Sequence, residues 1–384
     1  MGKRKKRKIA IIAGSRGEYG YFRPILKEIA KNPNLDYGVI ATNMHVLDRF
    51  GSSINEIKKD RFKIAATVHN TLDGYNRLTM AKSLSVFMLQ LPEILEQMGA
   101  DLVLLAGDRG EQLMAAIVGA HLYLPVAHIQ AGEVSGNIDG TTRHAITKFS
   151  HIHFASNEDA ARRVKRLGEE DFRIFNVGAP QLDELVQEKP TSYSTLCKTC
   201  GLEKNKPIIL VVQHPVTEEF EKTELQIAET LKAVSRFDAQ TVVVLSNSDA
   251  GSQAVHRAVA HHQTPAMRIF PNLPRKDYVG LMKAADVIVG NSSSGLIEAP
   301  IFKLPAVNIG RRQQGRLQGK NVINATHDSK SIETAIWKAL SPTFKKRAAS
   351  CGSPYGDGAS AQKIVEILAS IPIDEKLLIK QITY

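Results

Sequence analysis

Ile9-Ala-Ile-Ile-Ala13-Gly14-Ser-Arg16-Gly17-Glu18-Tyr-Gly20 carries the plan of the chain, and Ile208-Ile-Leu-Val-Val212-Gln213-His214 restates it in the second half. In each, five β-prone apolar residues run without polar interruption into a turn and then a helical pattern. Strands buried on both faces read in this way, and such strands belong to parallel sheets covered by helices. Outward from Ile9–Ala13, strands are predicted at Tyr37–Thr42, Leu102–Ala106, Val126–Ile129 and His151–Ala155. Helices are predicted between them at Tyr21–Lys31, Leu78–Met98, Glu111–Leu122 and Arg143–Phe149. A polar stretch, Glu188–Pro207, reads as a linker. The alternation then restarts with a helix at Glu219–Ser235 and strands at Thr241–Leu245, Arg268–Phe270, Val287–Val289 and Ala306–Asn308. The reading is α/β, with two Rossmann-like doubly wound domains facing across a cleft, where ligands of such folds usually bind. The expected divisions are a disordered basic leader over 1–8, a first domain over 9–185, a second over 186–365, and a segment over 366–384 that packs back on the first.

With 384 residues the chain exceeds one hydrophobic core, and no apolar run reaches transmembrane length. The basic start, Lys3 to Lys8, followed by Ile9–Ala13 imitates a signal peptide. Its apolar part is too short, and Arg16 and Glu18 follow at once. The net charge is +11, yet six of the positive charges lie in residues 3–8, leaving 44 basic against 39 acidic residues. So local an excess argues against a nucleic-acid-binding surface. Three cysteines, Cys197, Cys200 and Cys351, do not make a disulfide framework and suit a reducing, cytoplasmic setting. Cys197 and Cys200 have zinc or redox spacing without a second ligand pair.

Six strand ends carry candidate chemistry. Gly14-Ser-Arg16-Gly17-Glu18 lacks the dinucleotide spacing G-x-G-x-x-G, and no acid closes the second strand, so NAD is not expected. Arg16 can pair with a diphosphate there, or stand solvated on a structural turn. Gly107-Asp108 follows the third strand, where an Asp serves equally as helix cap or catalytic acid. His128-Ile-Gln130-Ala-Gly132-Glu133, with Asp139, Arg143 and His144 behind it, brings two carboxylates, two imidazoles and a guanidinium to one loop. Such a density suits proton transfer beside a departing anion. His214 ends the first strand of the second half; alone, it is better read as packed against its turn. Asn291-Ser292-Ser293-Ser294-Gly295 offers free N–H and hydroxyl donors to a phosphate at a helix start, with Glu298 in reach of ribose hydroxyls. Gly310-Arg311-Arg312-Gln313-Gln314-Gly315-Arg316 is a basic loop at a further strand end.

Gly14-Ser-Arg-Gly-Glu18, Gly107-Asp108, Gly132-Glu133-Val-Ser-Gly136 through Asp139, and Arg143-His144-Ala-Ile-Thr-Lys148 together resemble the hydrolysing UDP-N-acetylglucosamine 2-epimerases. So do Gln213-His214-Pro-Val-Thr217, Asn291-Ser-Ser-Ser-Gly295 and Tyr355-Gly-Asp-Gly358. The resemblance runs from about residue 8 to 368 and includes the branch acting on UDP-N,N′-diacetylbacillosamine. It implies the glycosyltransferase-B fold, a soluble homo-oligomer (dimer or tetramer) with no membrane partner, and no cofactor or metal. It also implies elimination of UDP from a UDP-2-acetamido sugar, giving a 2-acetamidoglycal, then hydration to the free manno-type sugar for sialic or legionaminic acid synthesis. Asp108, Glu133 and Asp139 match the family's acid/base carboxylates. Arg16 and His214 match its leaving-group contacts, and Ser292, Ser293, Ser294 and Gly295 its diphosphate turn. Glu298 matches the ribose ligand, and Arg316 is a further candidate for the diphosphate. Glu18, Arg143 and His144 lie in matching motifs without an assigned role. Two departures stand out. Gly140 replaces the second acid many relatives carry after the aspartate aligned with Asp139. Gln130 stands where non-hydrolysing epimerases have Glu. A glycosyltransferase of the same fold, using a UDP-sugar donor, and a non-catalytic nucleotide-sugar-binding protein are the rival readings.

Overall fold

The structure, a computed structural model, describes residues 6–47, 53–73, 77–134, 138–245, 252–271 and 273–383. The chain divides into two compact units, Met1–Glu184 with Tyr355–Tyr384, and Leu185–Pro354.

The first unit holds a parallel sheet of seven strands: β1 (Arg7–Ala13), β2 (Leu35–Thr42), β3 (Ile64–Val68), β4 (Leu102–Ala106), β5 (Val126–Ile129), β6 (Ile152–Ala155) and β7 (Ile174–Asn176). Their order is β3-β2-β1-β4-β5-β6-β7. Alternate residues of β1 explain its unbroken apolar run. Ile9, Ile11 and Ala13 pack with Phe22, Ile25 and Leu26 and with Ile364 and Leu368 on one face. Ala10 and Ile12 pack with Phe87, Leu91 and Ala116 on the other. Both faces are dry, so neither tolerates a polar side chain. The second unit repeats the plan with β8 (Ile208–Val212), β9 (Gln240–Val244), β10 (Met267–Phe270), β11 (Val287–Gly290), β12 (Ala306–Ile309) and β13 (Val322–Ala325), in the order β10-β9-β8-β11-β12-β13. In each sheet the order reverses once, between β1 and β4 and between β8 and β11. The carboxyl ends of the strands flanking such a reversal splay apart and leave a crevice for a ligand.

Several sequence expectations need correction. Arg7 and Lys8 belong to β1 rather than to a disordered leader. The Arg7 guanidinium bonds the carbonyls of Leu368 and Ile371, and the Lys8 ammonium that of Met98 at 3.0 Å, so each cation serves a helix carboxyl end. Residues 1–5 lie outside the described ones. The first helix begins at Arg16, not Tyr21, because Ser15 caps it by accepting from the Glu18 N–H at 3.4 Å. The stretch Glu188–Pro207 is no plain linker: Ser192 caps a helix over Tyr193–Thr199 that buries Leu196 and Cys197, and Cys200 is buried beyond it. The return to the first unit starts at Tyr355, ahead of the expected boundary at 365. Asp183 accepts from the N–H groups of Ser360 and Ala361 at 3.0 and 2.5 Å, so helix Ser360–Ser370 starts on a cap supplied from the first unit. β3, β7 and β13 are half-buried edge or near-edge strands, and they lack the apolar runs that marked the others.

Candidate functional site

In the first unit the reversal point is braced by a residue that sequence reading passed over. Gln112 is fully buried; its Nε2 donates to the Ile12 carbonyl of β1 at 3.1 Å and its Oε1 accepts from the Ala106 N–H of β4 at 3.3 Å. The β1–β4 ladder pairs Ile9–Leu102, Ala10–Val103 and Ile11–Leu104, and beyond it the Gln112 carboxamide stands in for the missing rungs. A glutamine on the buried side of a small-residue helix was the available signal.

The loops on either side of this brace carry the predicted groups. Glu18, nearly fully buried, turns back so that Oε2 accepts from the Gly14 N–H at 2.7 Å. Burial pushes its carboxyl up to about 8, with Arg109 and the Gly14 bond pulling the other way. Glu18 therefore acts inside the turn. The side chain of Arg16 lies outside the described ones. Asp108 follows Gly107, whose φ of +82° suits glycine. One Asp108 oxygen is gripped by the buried Arg143 guanidinium, whose second arm donates to the Gln130 carbonyl at 3.0 Å. Arg143 thus ties the loop after β4 to the loop after β5, holding a carboxylate with a charge-assisted bond.

His128 lies in β5, within the strand predicted at Val126–Ile129, so its imidazole does not join the loop cluster in which it was also counted. Its ring is wholly buried, with Nε2 at 2.7 Å from the Gly107 carbonyl. Burial, reinforced by Arg143, drives it down to about 3, so it stays neutral, and Nε2 must carry the proton to bond a carbonyl. His128 thereby sets the turn before Asp108. His144 is also held below its ordinary range, by burial and then by Arg143 and Arg163.

Glu133 is buried, and Asn157 at the end of β6 donates to its Oε1 at 2.7 Å. Gly132, at φ +76°, packs so closely on the Ala160 carbonyl that a Cβ would collide with it. This locks the Glu133 turn to helix Glu158–Arg166. The Asp139 side chain and residues 135–137 lie outside the described ones. Asp139 and the buried Gly140 belong to the first turn of helix Ile138–Phe149. Since β4, β5 and β6 are neighbours, Asp108, the Gln130–Glu133 loop and Asn157 line the same carboxyl edge.

The second unit answers with another amide. Asn291, at the end of β11 and fully buried, accepts from the His214 N–H at 2.7 Å and donates to the His214 carbonyl at 2.8 Å. His214, at the end of β8, is thereby held at the second reversal point by its backbone. Gly290 lies so near the Val212 carbonyl that any Cβ there would overlap it. The Asn291 carbonyl accepts from Gln313 at 2.9 Å and Arg312 at 3.1 Å, which draws in the 310–316 loop. Arg311 instead pairs with Glu219. Arg316 is part-exposed in the same loop.

The serine turn differs from its expectation. Its helix is a single turn, Ser294–Ile297, so the dipole it offers is small. The N–H groups of Ser292, Ser294 and Gly295 are already engaged by Val212 O, Ser292 Oγ and Ser292 O at 3.2–3.3 Å. Burial holds the Glu298 carboxyl above its ordinary range, Arg275 and the Ser294 hydroxyl opposing. Among the described residues no group of three or more His, Cys, Asp or Glu is placed to hold a metal ion, and no helix is long and apolar enough to cross a membrane.

Each unit is thus a doubly wound parallel sheet with polar side chains gathered at its reversal point, an architecture that serves enzymes of several classes. A profile of the UDP-N-acetylglucosamine 2-epimerase family matches residues 27–369, and the chain belongs to that family of UDP-sugar 2-epimerases. It is 36% identical to a hydrolysing UDP-N,N′-diacetylbacillosamine 2-epimerase of Legionella pneumophila over 97% of this chain and 98% of that one. It is 32% identical to a hydrolysing GDP/UDP-N,N′-diacetylbacillosamine 2-epimerase of Campylobacter jejuni over 89% of each. A crystal structure of UDP-GlcNAc 2-epimerase from Neisseria meningitidis bound to UDP-GlcNAc shares the fold, with a TM-score of 0.78 at 18% identity over 94% of this chain and 99% of that one.

Proposed function

We propose that this chain hydrolyses a UDP-2-acetamido sugar with inversion at C2, and that UDP-N,N′-diacetylbacillosamine is its preferred substrate. The observation that carries this reading is Asp108, gripped by Arg143 at the reversal point of the first sheet, in a chain similar end to end to epimerases named for that sugar nucleotide. In the first step a carboxylate takes the C2 proton while the C1–O bond breaks, its electron pair leaving with UDP, to give a 2-acetamidoglycal. In the second, water adds its oxygen to C1 and a proton is delivered to the opposite face of C2. Asp108, Glu133 and Asp139 share this proton traffic. Arg16 and His214 receive the leaving diphosphate, with Ser292, Ser293, Ser294, Gly295 and Arg316 around it and Glu298 on the ribose. The free sugar enters nonulosonic acid synthesis in the cytoplasm, and the enzyme works as a homo-oligomer.

The test is incubation in deuterium oxide with UDP-N,N′-diacetylbacillosamine and UDP-N-acetylglucosamine side by side, without acceptor. Release of UDP with a free manno-type sugar carrying deuterium at C2 is expected, faster from the first substrate. Product without deuterium, or UDP release only when an acceptor is added, would defeat the reading.

A further inference from the structure

Helix Ile138–Phe149 carries Asp139, Arg143 and His144 toward its amino end, and its carboxyl end meets a lysine from the last stretch of the chain. Lys380 Nζ donates to the carbonyls of Thr147 and Lys148 at 3.0 Å each and of Ser150 at 2.6 Å. It also pairs with Glu169 at 2.7 Å. Glu169 is buried and takes a further bond from His153 at 2.9 Å. An ammonium satisfying final carbonyls is favoured by the helix dipole, and here it is also largely buried. The segment around Lys380 is no fraying end. The fully buried Arg173 donates to the carbonyls of Lys376, Leu377 and Ile379 at 2.8, 2.6 and 3.1 Å, and the Thr383 N–H bonds the Gly168 carbonyl at 3.0 Å.

The path from this bolt to the carboxylate is short. The Thr147 carbonyl is held by Lys380, the Thr147 hydroxyl donates to the Arg143 carbonyl at 3.2 Å, and Arg143 grips Asp108 and the Gln130 carbonyl. We infer that Lys380 is a positioning residue, which fixes the register of helix Ile138–Phe149 and through it the placement of Asp108. The inference rests on the proposed role of Asp108 in the 2-epimerase reaction. A displacement of about 1 Å at a reacting group costs on the order of a hundredfold in rate, so a remote bolt of this kind is expected in turnover more than in binding.

The experiment compares Lys380→Met, Lys380→Arg and, as a control on the same segment, the exposed Lys376→Ala. Turnover and KM for the UDP-sugar are read together with backbone hydrogen exchange over residues 143–150. Lys380→Met should lower kcat by about tenfold or more with KM changed by less than about threefold, and should speed exchange in that stretch. Lys380→Arg should recover most of both, and Lys376→Ala should match wild type. A Met variant with wild-type kcat, or an Arg variant no better than Met, overturns the inference. If Lys380→Met does not fold, Lys380→Gln, which keeps one donor group for a carbonyl, takes its place under the same criteria. If wild type shows no turnover at all, the functional reading falls on its own; unchanged exchange in the Lys380 variants separately removes the bolt.

Discussion

Asn291 holds His214 by both sides of its peptide backbone, its carboxamide oxygen taking the N–H at 2.7 Å and its amide nitrogen bonding the carbonyl at 2.8 Å. The side chain thus does for β8 and β11 what a ladder rung does farther back. Replacing it with leucine leaves a backbone donor and acceptor without those partners. The expected loss is about 1–3 kcal/mol of stability, with weakened UDP binding. Thermal unfolding and calorimetric titration with UDP check both; a Leu variant that binds UDP as wild type does would contradict the brace.

Asp108 and Arg143 should separate chemistry from nucleotide binding. Asp108→Asn keeps the shape and one acceptor for Arg143 but cannot ionise. Turnover should fall by about 10²–10⁴-fold with UDP affinity little changed. Steady-state kinetics beside UDP titration distinguish this from a non-catalytic binding protein, in which the substitution would have no turnover to remove.

His214→Ala should lower turnover at least about tenfold while UDP affinity falls far less, since a contact that matters as the leaving group departs acts chiefly on the transition state. Equal losses in kcat and UDP affinity would reduce His214 to a binding residue.

Glu18 makes the first unit sensitive to alkali. Its carboxyl titrates near 8 when folded because of burial, against an ordinary 4.5. Between those values the folded state binds more protons than the unfolded one. Its contribution is therefore fully present below about 4.5 and is lost as pH rises through 8. Glu18→Gln, neutral throughout and still able to accept from the Gly14 N–H, should flatten this loss. At pH 9 the variant should gain at least about 1 kcal/mol relative to wild type, compared with pH 6. Melting curves at the two pH values decide it.

Acid should act through the buried imidazoles. His128 is lowered to about 3, and His151 and His153 to about 4, in each case chiefly by burial. The unfolded state takes up protons near 6.5 while the folded state does not. Their contribution thus stands above 6.5 and drains away as pH falls toward 4. Stability measured from pH 7 to pH 4.5 should drop steeply, and His128→Asn, able to donate to the Gly107 carbonyl, should lessen the slope.

The parallel sheets were legible because β1, β4 and β8 bury both faces and so admit only apolar residues. β3 and β13, half-covered, wrote no such record. The strand-end groups were legible for a different reason: the reversal points collect glycine, acid and hydroxyl residues that packing alone does not call for. Gln112 and the amide role of Asn291 were not, because a carboxamide bonding backbone across strands looks, in a linear sequence, like any polar side chain; Asn157 was not either, since its partner is the Glu133 carboxylate on a neighbouring loop. The strand holding His128 was legible, but its imidazole was grouped with the loop beyond because only the sheet reveals that its neighbour is the Gly107 carbonyl. Lys380 escaped notice since its partners lie more than two hundred residues back.

The chain leaves its first unit at Leu185 and rejoins it at Tyr355. A ribosome therefore finishes every residue of the second unit while the first still lacks helix Ser360–Ser370 and the Lys380 bolt. Until those last residues emerge, Phe22, Ile25 and Leu26 have no cover from Ile364 and Leu368. Premature termination near residue 354 would yield one intact half and one sticky, half-clad half.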